Sequence, residues 1–347
     1  MSVRCALPMV MALAVVAGLM TARAVAERDG KAVRDPRRDL LLVANKGDQT
    51  LSIVDPESGA QLAAVPVGGN TGHEVAASLD GRTAFVPIYG DAGVGKPGTD
   101  GTTISVIDLD SRTKIATIDL GGAARPHCAV YCPADGKLYV TTELMQAIAV
   151  IDPATRAVAG SIPTGQPQSH MLAISSDGKR GYTANVGPGT VSAIDLVNKK
   201  VLAVIPAAKV VQRVAISADN RWVFTADQAK PQLVVIDTAT NSVKRRVPLP
   251  GFGFGMTPTH DGRELLITLP SSDGVAVLDL QTMKIVRVVH VPAHPQEILV
   301  RPDDGVAYVS CDRSKQVAAI SVSTGKIEKL IRVGADADGL AWAPAKD

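Results

Sequence analysis

The chain has 347 residues, 36 of them basic and 34 acidic. That near balance argues against the broad basic face a nucleic-acid binder needs, while leaving room for a local basic patch, and the length exceeds one ordinary globular core, so two domains or a repeat architecture is expected. Only 3% of residues are aromatic, while four cysteines are present.

The N-terminus reads as an export signal. Arg4 precedes an uncharged apolar run, Cys5–Met20, and Ala24-Val25-Ala26 supplies the small-x-small pattern of a cleavage site. About 16 apolar residues is short for a membrane span. The expected organisation is a signal peptide over 1–26, a short arm over 27–38 and one folded unit over 39–347, placed in the periplasm or secreted. Removing 1–26 takes away Arg4 and Arg23 and no acid, leaving 34 charges of each sign. No other segment is long and apolar enough to cross a membrane.

Beyond the arm, a strand-like segment ending in aspartate recurs as "SIVD" (Asp55), "SVID" (Asp108), "AVID" (Asp152), "SAID" (Asp195), "VVID" (Asp237) and "AVLD" (Asp279). "AAIS" closes the series with Ser321. The steps are 53, 44, 43, 42, 42 and 42 residues. An Asp-Gly or Asp-Asn turn keeps the same beat from Asp80 to Asp304, and Phe85, Tyr139, Tyr182, Phe224, Leu266 and Tyr308 follow those turns. Three landmarks in one period mean a repeat protein. Each unit reads as four short alternating strands split by Gly, Asn, Asp or Pro, as in "HMLAIS", "RGYTAN", "TVSAID" and "KVLAVIP". No stretch holds a 3.6-residue apolar period. The predicted fold is all-β: a seven-bladed propeller of four antiparallel strands per blade. The C-terminal "DGLAWAPAKD" matches a first strand, and "DLLLVANKGDQTLSIVD" a second and third. Pairing the two ends closes the ring and removes both edges. The recurring aspartates then have a structural task, accepting hydrogen bonds from the turn that follows.

The segments "RGYTANVGPGTVSAID", "KLYVTTELMQAIAVID" and "VAYVSCDRSKQVAAIS" resemble the YVTN-repeat β-propellers, the YncE-like group of exported proteins, over essentially all of 39–347. The resemblance implies a seven-bladed propeller outside the cytoplasm and little chemistry. Related propellers include lactonases, lyases and ligand-binding proteins, and fold alone does not choose among them.

The funnel at one end of the axis is the expected ligand site. Counting seven residues back from the turn aspartates reaches His73 and His170, and eight back reaches His127 in the unit that carries "CPADG". Gln212, Phe254, Glu297 and Asp338 fall at or near the same point in the later units. Three readings of the histidines stay open: a site for one divalent metal (Zn, Cu or Ca), a site for a polar or anionic ligand without metal, and a water-filled polar channel. Glu297 and His170 are the candidate acid–base residues. Arg213, Asn185, Asp227, Tyr89, Glu143 and Asp338 are the candidate substrate contacts. The long step is filled by Tyr89–Thr103, expected to hang over the funnel as an irregular loop. Two functions follow: a metal-assisted hydrolase or lyase of lactone-like substrates, or a non-catalytic propeller that binds a ligand or another protein. Cys128 and Cys132 are about 13 Å apart if extended, too far for a disulfide, so buried free thiols are expected.

Overall fold

The computed structural model describes residues 38–345; the expected signal peptide and most of the arm lie outside the described residues. Among the described residues, seven sheets of four antiparallel strands make up the fold, with two single-turn 3₁₀ segments as the only helix. It is a seven-bladed β-propeller. Blade one combines the C-terminal strand Ala337–Ala343 with Leu40–Asn45, Thr50–Val54 and Gln61–Pro66; Leu40 pairs with Ala343 and Asn45 with Ala337. The chain ends thus close the ring by the pairing their sequences required. Blades two to seven begin at Ala76, Pro126, Ser169, Ala215, Met256 and Pro295, and follow one another in chain order.

Within a blade, burial grades outward. Middle strands such as Leu40–Asn45 and Val306–Cys311 are buried at every position, because neighbouring blades cover both faces. Outer strands such as Lys200–Pro206 alternate exposed and covered positions, the signature of one solvated face. The landmark residues Phe85, Tyr182, Phe224 and Tyr308 are all buried in the clusters that glue adjacent sheets. Each contributes about 1.5–3 kcal/mol by leaving water, which is why every unit keeps a large apolar residue there.

The recurring aspartates do the predicted structural work. Asp55 accepts from the Glu57 and Ser58 amides, Asp152 from Ala154 and Thr155, Asp237 from Ala239 and Thr240, and Asp279 from Thr282. Ser321 Oγ takes the Thr324 amide in the last unit. Cys128, Cys132 and Cys311 are free and buried. Among the described residues no helix is long and apolar enough to cross a membrane.

The predicted loop Tyr89–Thr103 is shorter than expected, because its flanks extend the blade. The strands run Thr83–Gly90 and Asp100–Asp108, leaving only Asp91–Thr99 outside the sheet. Asp91 Oδ1 accepts the Thr99 amide and fastens the loop's neck.

Candidate axial site

The innermost strands bring seven residues around the axis in register. Ala173 pairs with Tyr182, Leu299 with Tyr308, and Ala76 with Phe85, which fixes the equivalent positions in each blade. By that register the ring is His73, His127, His170, Gln212, Phe254, Gln296 and Asp338. Counting from the turns reached Glu297 instead of Gln296, because "RPDDG" in blade seven carries one extra residue, as "CPADG" does in blade three. Glu297 still reaches the axis. The first-strand pairing slips between Pro295 and Ile298, and comparable slips occur at Pro126/Ala129 and Ser169/Met171. A bulge breaks strict alternation and re-aims the side chain beside it.

One half of the site is aromatic. The His127 and His170 rings lie 3.5 Å apart between centroids and 31° from parallel, and His73 is 5.1 Å from His127. Tyr89 sits edge-on to His127 and His170, at 5.4 and 6.2 Å. Its hydroxyl donates to Glu143 (2.8 Å), whose other oxygen meets His170 Nδ1 at 2.9 Å. A carboxylate only accepts, so Nδ1 carries the His170 proton. The sequence placed His73, His127 and His170 at one position in successive blades and Tyr89 and Glu143 among the loop residues of the same face; in the structure these five lie together.

Burial sets the charge of this half. It drives His73 down to about 3, against the pull of Asp338. It drives His127 well below the ordinary histidine value, helped by the two neighbouring imidazoles. It lowers His170 as well, although Glu143 opposes the shift. Three neutral imidazoles therefore stack without mutual repulsion. Thr71 Oγ1 donates to Gly90 O and so receives the proton on His73 Nε2, leaving Nδ1 as a lone pair 3.6 Å from Asp338.

The other half is ionic. Arg213 Nη1 pairs with Glu74 and, at 2.8 Å, with Glu297, while Nη2 donates to Asp338 at 3.1 Å. Lys46 reaches the second Asp338 oxygen at 3.0 Å. Phe254 lies against the guanidinium, 4.7 Å from its centroid. Burial pushes Glu74 up to about 8 in spite of Arg213, and raises Glu297 in the same way. Burial also works to raise Asp338, but Lys46 and Arg213 outweigh it and hold this carboxyl low.

Glu74 and Lys46 were not foreseen. Glu74 had a signal: it follows His73 in "TGHEVAA" as Arg213 follows Gln212 and Glu297 follows Gln296. Two of the foreseen contacts lie elsewhere. Asn185 is buried among Ser169, Thr183, Thr190 and Ser192, tying strand ends together. Asp227 accepts from the Ala229 amide and Gln232, closing its own hairpin.

Crowding on the axis also dictates a glycine. A Cβ on Gly339 would stand 2.6 Å from Glu74 Cα and 2.7 Å from His73 O. Gly339→Ala should therefore cost about 1–3 kcal/mol through forced backbone movement, read as a lower urea midpoint with an unchanged slope.

Six buried side-chain polar atoms among the described residues lack a hydrogen-bond partner, and three are axial: His127 Nδ1, Arg213 Nε and Glu297 Oε2. The last touches Arg213 as an ion pair whose angle makes no hydrogen bond. Such atoms are rare in folded proteins and concentrate where function or strain requires them.

Fold and site together define a seven-bladed β-propeller with a polar, ionisable axial site. A model of the cytochrome D1 heme domain matches residues 136–259. No curated protein matches. Among solved structures, Kuenenia stuttgartiensis hydrazine synthase superposes with a TM-score of 0.72 at 20% identity, covering 82% of this chain and 93% of that one. The periplasmic gluconolactonase PpgL of Pseudomonas aeruginosa gives 0.68 at 18%, with 88% and 99% covered. The dihydro-heme d1 dehydrogenase NirN in complex with DHE gives 0.63 at 16%, with 89% and 76% covered. At these identities the likeness is one of fold.

The axial residues do not fit a haem. His127 and His170 are 1% and 3% exposed, packed ring against ring, so neither presents a nitrogen to a plate-shaped ligand. The Arg213 ion pairs occupy the axis beside them. Among the described residues no group of three His, Cys, Asp or Glu side chains is arranged to hold a metal ion.

Proposed function

We propose that this protein is a periplasmic propeller that binds a small polar molecule at the funnel end of its axis and hydrolyses a lactone there. The ionisable cluster at the axis carries the reading: His127 Nδ1, Arg213 Nε and Glu297 Oε2 make no hydrogen bond, and a purely structural core satisfies such atoms. The half-buried His73, Gln212, Phe254 and Glu297 form the accessible rim. The gluconolactonase among the structural neighbours suggests which lactone to try.

In this scheme Glu297, whose raised pKa suits a base working near neutrality, takes a proton from water. The hydroxide adds to the lactone carbonyl, and the Arg213 guanidinium faces the oxyanion. The ring C–O bond then breaks, and the ring oxygen recovers the proton from Glu297, giving a hydroxycarboxylic acid that releases its carboxyl proton to water. Neutral His73 lines the ligand's polar wall, with the buried His127 packed against it.

The test is glucono-δ-lactone hydrolysis followed by pH-stat, with Glu297→Gln as the variant. General-base loss should lower kcat about 10²–10⁴-fold while the urea midpoint stays near wild type. The near-complete burial of His127 and His170 favours a second reading, a non-catalytic binding or scaffold propeller with a polar plug on its axis. Binding of gluconate without turnover of its lactone would select that one. Neither binding nor turnover would refute the hydrolase.

A further inference from the structure

Outer strands of the blades are repetitive, and one departs from the pattern. Lys200–Pro206 reads "KVLAVIP" and Ala157–Pro163 reads "AVAGSIP", but Ser242–Pro248 reads "SVKRRVP". Three adjacent cations stand where those two strands place small or aliphatic residues; the outer strands of blades six and seven keep one cation at the middle position, Arg287 and Lys329. Val235 pairs with Arg245 and Ile236 with Val243, so Lys244 is the extra residue of a bulge. A bulge re-aims side chains, and here Lys244 and Arg245 both line one cleft.

That cleft has a volume of about 930 Å³ and lies between blade five and the turns of blade six. Arg221, Arg263, Trp222 and Met283 complete the walls used here. Arg221 lies over the Trp222 ring at 4.7 Å, which holds its guanidinium in a fixed place. Three aspartates also border the cleft, and each is engaged locally. Asp219 accepts from Ser217 Oγ and the Arg221 amide, and Asp261 accepts from Thr259 Oγ1 and pairs with Arg263 at 3.5 Å. Asp279 accepts both the amide and the hydroxyl of Thr282. Lys244 and Arg245 enter no ion pair among the described residues. Concavity and volume match small-molecule sites, which run to about 300–1,000 Å³.

We propose that this inter-blade cleft binds a small molecule carrying two or more oxyanion groups, held by Lys244 and Arg245 with Arg221 and Arg263. It is separate from the axial site and independent of the hydrolase reading. Guanidinium groups favour planar or forked oxyanions, so phosphate and carboxylate are the two chemistries to separate.

The experiment is calorimetric titration of the full chain at low salt with tripolyphosphate in one arm and citrate in the other. At least one should bind, weakening as salt rises. The Lys244→Gln/Arg245→Gln double variant should lose at least tenfold in affinity for it. Arg246→Gln is the control: Arg246 donates to Ala207 O and does not line the cleft, so this variant should bind as wild type does. Binding of neither probe overturns the proposal. So does an undiminished affinity in the double variant, or an equal loss in Arg246→Gln, which would mean a diffuse surface attraction.

Discussion

Arg213→Met should destabilise the protein by about 3–5 kcal/mol at pH 8, the cost of leaving buried charges without their partner. Methionine nearly matches the arginine stem in volume and would sit against Met171 and Phe254, which already touch the guanidinium. The loss is therefore electrostatic in origin. Glu74, Glu297 and Asp338 all converge on Arg213, and without it only Lys46 remains, on Asp338 alone. The deficit should shrink as pH falls toward 6. Burial already holds Glu74 near 8 and raises Glu297, and a protonated carboxyl needs no counter-ion. Adding Glu74→Gln to the variant should recover part of the loss, since the two positions are directly coupled. Urea denaturation at pH 6 and pH 8 checks this. A pH-independent loss below about 1 kcal/mol would show that the network is not a stabilising unit.

The fold was legible because a propeller repeats its rules. Asp55, Asp108 and Asp152 mark the same strand end three times over, and one ambiguous unit is corrected by its sisters. Closure was legible because each end lacked what the other carried. The histidine and tyrosine half of the site could be read too, since it lies at equivalent places in successive blades. The ionic half could not be read fully, for a local reason. Alternation places Glu74 and Glu297 on the opposite face from their neighbours, and only departures from regular pairing at the strand mouths bring them to Arg213. The one-residue difference between "SSDGK" and "RPDDG" likewise hides in a turn, where spacing is free to vary. Asn185 shows the converse limit. Its place on the funnel side was right for a ligand contact, but Thr190 and Ser192 already occupy its amide.

Acid should unfold this propeller through its axis. His73, His127 and His170 are all held below the ordinary histidine value by burial, His73 to about 3. A group with a depressed folded pKa that is neutral when deprotonated takes up its proton more readily in the unfolded chain. Stability is then fully present above pH ~6.5, the unfolded histidine value, and falls as pH drops toward the folded value. A histidine whose folded value lies far below 6.5 contributes a slope of about 1.4 kcal/mol per pH unit between the two values; His73 and His127 meet that condition, and His170 acts in the same sense. Glu74 acts in the opposite sense. Its folded pKa near 8 gives stability that is complete below about 4.5 and is lost as pH rises toward 8. Maximum stability should fall near pH 6.5, between the two regimes. Urea midpoints at pH 5, 6, 7 and 8 give the curve, and His127→Gln isolates one imidazole. That ring is packed at 3.5 Å against His170, so the substitution lowers stability at pH 7 but should flatten the acid limb by about one proton's slope. An acid limb of equal steepness in the variant would mean that His127 is protonated in the fold, and that the axis is not held neutral by burial.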